Sequence, residues 1–170
     1  MRLSRNAREQ SARHRGGGII AISFVVVFLL AELPLPAWAV LWRPAWVAMV
    51  LIYWCLAIPG RIGMGIGWSA GLVLDILGGG LLGQHAMGLC IVAFIAGRFH
   101  HKIRVLPIWQ HSIVLFGLIT LYRFSVLSVS GIQGYPIPIS AYFSPALTSM
   151  VLWPWVFVIL RDLRQRYQVT

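Results

Sequence analysis

Six apolar stretches, separated by glycine and proline, constrain the fold of this chain more than any other feature of its sequence. A helix perpendicular to a bilayer needs roughly 20 residues to cross the hydrocarbon, within a range of about 17–25. The pattern therefore predicts an all-α integral membrane protein with about six transmembrane helices. Because the second stretch is short, it fits either a tilted span or a re-entrant segment. The stretches cover approximately residues 17–33, 45–58, 62–79, 83–99, 108–130 and 140–160.

The composition explains why lipid must cover this chain. Only 11% of the 170 residues are charged, whereas 59% are hydrophobic. A soluble domain of this size carries roughly 25% charged residues, enough to wet its surface. The length suits a single domain. We expect residues 1–16 to form a basic cytoplasmic tail, residues 17–160 the membrane domain and residues 161–170 a second basic cytoplasmic tail.

The basic residues predict the orientation of the chain. Lysine and arginine collect in cytoplasmic loops and face anionic phospholipids. If the N-terminus is inside, Arg43 is the one basic residue of the outer loops, Arg123 lies within a span, and the remaining 12 of the 14 fall in cytoplasmic segments. An even number of spans then keeps both termini in the cytoplasm. The dispersed charge and the lack of a nucleic-acid-binding motif argue against nucleic acid as a partner.

The N-terminal region also has the features of a signal peptide. A basic region and an apolar core precede Ala37-Trp38-Ala39, which matches the small-residue pattern of a cleavage site. The tryptophan at this site, the prolines before it and the further spans downstream favour an uncleaved first helix. Cleavage would leave the orientation of the remaining spans unchanged.

The third stretch contains small residues at steps of four that lead to an acid. Residues at this spacing share one helix face, and glycines on such a face allow another backbone to come close. We therefore expect the acid, Asp75, to point into the bundle, because an ionised carboxylate facing hydrocarbon is costly. The members of this face are Gly63, Gly67, Gly71, Asp75 and Gly79, with Gly78 beside them.

Arg123 of the fifth stretch is the predicted partner of Asp75. At 1.5 Å per residue, the two residues differ in depth by only about 5 Å, within the reach of an arginine side chain. Glu32 and Arg43 occupy similar outer levels and form a second candidate pair. Such a polar cluster fits either a proton relay or substrate site, or a structural ion pair or a contact with a partner helix.

No catalytic, cofactor or metal site is predicted. Cys55 and Cys90 lie inside apolar runs and are interpreted as small buried hydrophobic residues. The histidines do not converge at ligand spacing, and the cytoplasmic face offers arginines but almost no base. Most of the eight tryptophans lie at span ends, where they anchor helices at the interface. Pro154, between Trp153 and Trp155, is expected to bend the last span.

Several short motifs, in a fixed order, resemble the rod shape-determining protein family MreD. The resemblance extends over about residues 18–167, whereas the basic tail and Arg123 match no part of the family pattern. The motifs are Arg43-Pro44-x-Trp46 before Tyr53-Trp54, Pro59-x-Arg61, a glycine-rich helix leading to Asp75-Ile76-x-Gly78, then Leu82-Gly83, Trp109-Gln110, and Leu152-Trp153-Pro154-Trp155 with Arg161 after it.

The resemblance implies a non-enzymatic scaffold subunit of the elongation machinery of rod-shaped bacteria, in the inner membrane. The family works with MreC, with the actin-like MreB filament, and beside the RodA glycosyltransferase and its transpeptidase partner. Its role is to help link the cytoplasmic filament to lateral synthesis of the peptidoglycan wall. Short loops and packed faces of small residues agree with this role.

Two other functional classes fit part of the pattern. A small substrate-binding membrane component of a vitamin uptake system also has about six short helices with glycine-rich packing. A membrane enzyme of lipid or polyprenol metabolism would need a cluster of acidic or histidine side chains at one face, and such groups are scarce here.

Overall fold

Every regular element in the described residues is an α-helix, as the apolar pattern predicts. The structure is a computed structural model that describes residues 2–132 and 140–167, without the side chains of residues 2–16, 37, 130, 132 and 140–142. Seven helices lie within that part of the chain: α1 (Arg2–Glu32), α2 (Ala37–Val40), α3 (Trp46–Ala57), α4 (Met64–Gly78), α5 (Gln84–Arg104), α6 (Ile108–Ile132) and α7 (Ser140–Arg166).

Each predicted stretch corresponds to one of the six longer helices, and α2 adds a single turn after Pro36. The backbone of the basic segment 2–16 belongs to α1, and α7 continues through the basic residues that follow the last stretch. In the described part of the chain, two helices are long and apolar enough to cross a membrane by themselves, over Ile108–Val129 and Phe143–Arg166. Residues 133–139, between the fifth and sixth predicted stretches, and residues 168–170 of the predicted C-terminal tail lie outside the described residues.

Helix α3 is unusually short, and its position at the centre of the bundle explains why. Its residues 47–56 are all buried, and it packs against α1, α5, α6 and α7. Twelve residues extend only about 18 Å, well short of the roughly 30 Å hydrocarbon layer. Protein surrounds α3, so the irregular backbone at its ends can be satisfied by protein groups. The second stretch is therefore a short central helix.

Hydrogen bonds from polar side chains fix α3 to the helices on either side. The Nε1 of Trp54 donates to the Oγ of Ser23 on α1 at 2.9 Å, and this hydroxyl donates to the carbonyl of Ile20 at 2.7 Å. At the other end, the backbone N–H of Ala45 donates to the Oγ of Ser149 on α7 at 2.9 Å. Polar groups buried around α3 thus find partners inside the protein.

Two glycines of the predicted face bring α4 against the backbone of α5. A Cβ at Gly67 would lie 2.8 Å from the carbonyl oxygen of Leu89, and a Cβ at Gly71 would lie 2.1 Å from the Cα of Ala86. Both distances are shorter than a carbon atom allows, so only glycine permits this approach. The prediction of a close-packed face is confirmed at these two positions.

The other glycines of the face have different surroundings. A Cβ at Gly63 or Gly78 would have no neighbour within 4 Å. Gly79 and Gly83 have φ values of 62° and 98°, in the left-handed region that favours glycine. These two residues are the first and last of the five-residue connection between α4 and α5, and they allow its tight turns.

A matched pair of glycine substitutions tests the α4–α5 contact. We expect Gly71→Ala to lower the free energy of unfolding by about 3 kcal/mol, because the added methyl group would force the two backbones apart. Gly78→Ala has open space, and its stability should stay within about 0.5 kcal/mol of the wild type. Denaturant unfolding of the purified chain in detergent measures both, and equal stability of the two variants would contradict this packing.

Candidate functional site: a buried carboxylate at the start of helix α5

Asp75 lies near the end of α4, and its side chain is completely buried. One carboxylate oxygen, Oδ2, accepts hydrogen bonds from the backbone N–H of Gly83 at 2.8 Å and of Ala86 at 3.3 Å. The other, Oδ1, accepts from the backbone N–H of His85 at 2.9 Å and contacts the Nδ1 of the same histidine at 2.8 Å. We call Asp75, Gly83, His85 and Ala86 the Asp75 cluster.

The physical reason for this arrangement is the unsatisfied start of α5. The first N–H groups of a helix have no partner within the helix, and the helix dipole makes this end attractive to negative charge. The N-cap residue, Gly83, has no side chain with which to accept these hydrogen bonds. The carboxylate of Asp75 on the preceding helix therefore caps α5.

His85 links this cap to helix α6. A carboxylate only accepts hydrogen bonds, so the Nδ1 of His85 carries the hydrogen that it shares with Asp75. The imidazole ring lies 6.0 Å from the ring of Tyr122, measured between centroids. Tyr122 reaches this position because Gly88 leaves room for it, since a Cβ at Gly88 would lie 2.8 Å from the tyrosine ring.

Gln84 makes a second connection between the start of α5 and α6. Its Nε2 donates a hydrogen bond to the carbonyl of Val126 at 3.0 Å. The Asp75 cluster thus lies at a junction of three helices. Its carboxylate joins the end of α4 to the start of α5, and His85 of the cluster contacts Tyr122 of α6.

The predicted pair of Asp75 and Arg123 is wrong. Among the described residues, the only ion pair of Asp75 is with His85, and Arg123 makes no hydrogen bond to it. The two residues lie at similar depths by helix rise, but backbone N–H groups that follow Asp75 by 8 to 11 residues lie closer to its carboxylate. These groups satisfy the carboxylate without an arginine.

The predicted pair of Glu32 and Arg43 is also wrong. Arg43 uses its Nη2 to donate to the carbonyl oxygen of Leu33, and no ion pair joins it to Glu32 within the described residues. Glu32 is exposed at the end of α1. The sequence placed the two residues at one end of the bundle but did not reveal the competing backbone acceptor.

The geometry favours a structural role for the Asp75 carboxylate over a proton relay. Both of its oxygens already accept hydrogen bonds from donors at the start of α5. In the part of the chain that the structure describes, no three side chains of histidine, cysteine, aspartate or glutamate come together as metal ligands. The arrangement can fix the positions of α4, α5 and α6 relative to one another, which is a structural role.

The remaining candidates from the sequence lie away from the Asp75 cluster. Trp153 is 1% exposed and packs on Phe157 with ring centroids 5.9 Å apart, so it is part of the core. Trp155 is 74% exposed, as expected of an interfacial anchor. Pro154 lies inside α7, and Arg61 is exposed in the connection between α3 and α4.

The two cysteines have different surroundings, although neither forms a disulfide. Cys55 is buried in α3, as the sequence predicts, whereas Cys90 is half-buried in α5. Both are free thiols within the bundle.

A second polar group, at the opposite end of the bundle, was not found from the sequence. Tyr53 is buried near the end of α3, and its side chain forms a hydrogen bond with Arg164 of α7. Arg161 and Arg104 also lie near enough to interact electrostatically with this tyrosine. A tyrosine inside an apolar stretch was the available signal, because a buried hydroxyl needs a partner.

A double-mutant cycle distinguishes the observed cap from the pair that the sequence suggested. We expect Asp75→Asn to lower the free energy of unfolding by about 3 kcal/mol, because the donors at the start of α5 lose the ionised, buried acceptor that they share. His85→Ala should cost less, and the two changes should be coupled by roughly 1 kcal/mol.

The control is the cycle between Asp75→Asn and Arg123→Gln, whose effects should add because the two side chains do not touch. Thermal unfolding of the purified variants in detergent measures both cycles. Coupling to Arg123 with additivity to His85 would refute the geometry of the Asp75 cluster.

Comparison with known proteins supports the resemblance seen in the sequence. The family model of the rod shape-determining protein MreD matches residues 13–163 of this chain. The rod shape-determining protein MreD of Haemophilus influenzae is 31% identical over 151 residues, which cover 86% of this chain and 90% of that protein. No solved structure matches the chain. Because the family model covers most of its length, the chain belongs to the MreD family of rod shape-determining membrane proteins.

Proposed function

We propose that this chain is a non-enzymatic scaffold subunit of the rod-shape machinery in the bacterial inner membrane. Membership of the MreD family gives it a role in cell shape. The finer proposal is that it links MreC, RodA and the transpeptidase partner of RodA to the MreB filament. Through this link, the chain would couple the cytoplasmic filament to lateral growth of the peptidoglycan wall.

The observation that carries this proposal is a helical bundle with short connections and basic residues at one end. Five residues join α4 to α5, and three join α5 to α6. Connections of this length leave no room for a separate catalytic domain. The bundle therefore offers other proteins its lateral helix surfaces and its two ends.

We propose six spans with both termini in the cytoplasm. Tyr53 of α3 lies close to Arg104 at the end of α5 and to Arg164 of α7. The end of α3 with the α3–α4 connection, the end of α5 and the end of α7 therefore fall at the same end of the bundle. Seven basic side chains lie there, and the positive-inside tendency assigns that end to the cytoplasm. These residues are Arg61, Arg98, Lys102, Arg104, Arg161, Arg164 and Arg166.

The two ends and the sides suit different partners. The basic end is complementary to anionic phospholipids and to an acidic patch on a cytoplasmic filament such as MreB. The sides expose large apolar residues, for example Ile22, Val25 and Leu29 of α1, which suit lipid or the membrane helix of another protein. A scaffold needs such surfaces more than it needs a reactive group.

The test of this proposal has two arms. Reporter fusions at Gly60 and Thr170 should place both positions in the cytoplasm, and a fusion at Gly80 should place that position outside. In the second arm, the full chain co-expressed with MreC of the same organism should elute from a sizing column in detergent as a stable 1:1 complex.

Two results would overturn the proposal. Fusions that put Gly60 and Thr170 on opposite sides would contradict the six-span layout. A chain that elutes without MreC, and that instead retains a tightly bound small molecule through purification, would indicate a substrate-binding component of an uptake system.

A further inference from the structure

Two arginines that form no ion pair within the described residues lie at the end of the bundle opposite the seven basic residues named above. Arg43 precedes α3, and Arg123 is half-buried on α6. The guanidinium groups are near enough to repel each other. The Nε of each is buried without a hydrogen-bond partner among the described residues, and Arg43 donates one bond to the carbonyl of Leu33.

The acidic residues of the chain do not neutralise this pair. The chain has four of them, and the carboxylate of Asp75 is already held at the start of α5. Glu32 forms no ion pair within the described residues, and Asp162 lies at the opposite end of the bundle. Glu9 lies near the beginning of α1, and residues 133–139 contain no acidic side chain. The two arginines therefore need an anion from outside the chain.

An oxyanion with several oxygens fits two neighbouring guanidinium groups. A guanidinium presents forked donors that match phosphate geometry, and charge-assisted hydrogen bonds of this kind are the strongest in proteins. Leaving two like charges half-buried beside hydrocarbon is costly. One phosphate group would offset the repulsion between the arginines and accept from donors on both.

In the proposed six-span layout, the two arginines lie toward the outer interface of the membrane. Nine residues of α6 follow Arg123, so its Cα lies roughly 13 Å below the end of the helix at 1.5 Å per residue. A long arginine side chain extends toward the interface from such a depth. Arg43 lies in the connection between α1 and α3, and its guanidinium is near that of Arg123. With the end of α6 at the outer interface of the proposed six-span layout, both guanidinium groups are within reach of a phospholipid phosphate.

We propose that Arg43 and Arg123 bind the phosphate group of a phospholipid in the outer leaflet. The site goes beyond the scaffold role, because it requires neither MreC nor MreB. The bound lipid would contact the connection before α3 and the middle of α6, and so it would stabilise the outer end of the bundle.

The experiment uses the full chain purified in dodecyl maltoside, a detergent without phosphate. Three additions are compared: phosphatidylglycerol, a diacylglycerol with the same acyl chains, and inorganic phosphate. We expect phosphatidylglycerol to raise the melting temperature by roughly 5 °C, since a ligand that binds only the folded state stabilises it. Diacylglycerol and inorganic phosphate should leave it unchanged.

Arg123→Gln should lose at least half of the shift that phosphatidylglycerol produces. Without added lipid, its melting temperature should equal or exceed that of the wild type, because the substitution removes an unpaired charge. The matched control is Arg98→Gln, which removes the same charge from an exposed residue of the basic end. Because six other basic residues remain there, this variant should keep most of the shift. Arg43→Gln is a second variant in case Arg123→Gln folds poorly, and it should also lose at least half of the shift.

Three outcomes would overturn the proposal. A full shift in both Arg123→Gln and Arg43→Gln would show that the phosphate binds elsewhere. An equal loss of stability with and without lipid in Arg123→Gln would show that this arginine has a partner within the protein. An equal rise in melting temperature with inorganic phosphate or with diacylglycerol would show that the site does not require a phospholipid.

Discussion

The structure depends on one constraint: the first N–H groups of α5 have no partner within their own helix, and they lie partly inside the bundle, where they bond to an acceptor within the protein. Asp75 supplies them from the end of α4, across a connection of five residues. The carboxylate can reach them because Gly67 and Gly71 allow the two helix backbones almost to touch. Tyr122 then contacts His85, which joins α6 to the same junction.

Burial also explains how helices of unequal length form one bundle. The central helix α3 is only 12 residues long, but protein surrounds it and polar side chains on α1 and α7 bond to it. The outer helices α6 and α7 face the surroundings and are long enough to cross a membrane. A rigid centre of this kind suits a member of the MreD family, whose proposed scaffold role requires surfaces held in fixed relation.

The sequence predicted the features that follow from residue spacing or from composition. It missed the features that depend on the direction of a side chain. The apolar stretches located the six longer helices, and the steps of four located the close face at Gly67 and Gly71. Helix α3 was ambiguous because length alone cannot reveal that protein surrounds a helix. The predicted partner of Asp75 was wrong because an opposite charge is visible in the sequence, whereas the position of free backbone N–H groups depends on how the chain turns between α4 and α5. The available sequence signal for this contact was His85, a polar residue at the start of the fourth apolar stretch, directly after a glycine-rich connection.

The most direct test of this account is amide hydrogen exchange across residues 79–90 in the wild type and in Asp75→Asn. If the Asp75 carboxylate caps α5, the N–H groups of Gly83, His85 and Ala86 should be protected in the wild type. In the variant they should exchange at least about tenfold faster, which corresponds to the loss of roughly 1.4 kcal/mol of local stability, while α3 keeps its protection. Unchanged exchange at these three amides in a folded variant would contradict the account.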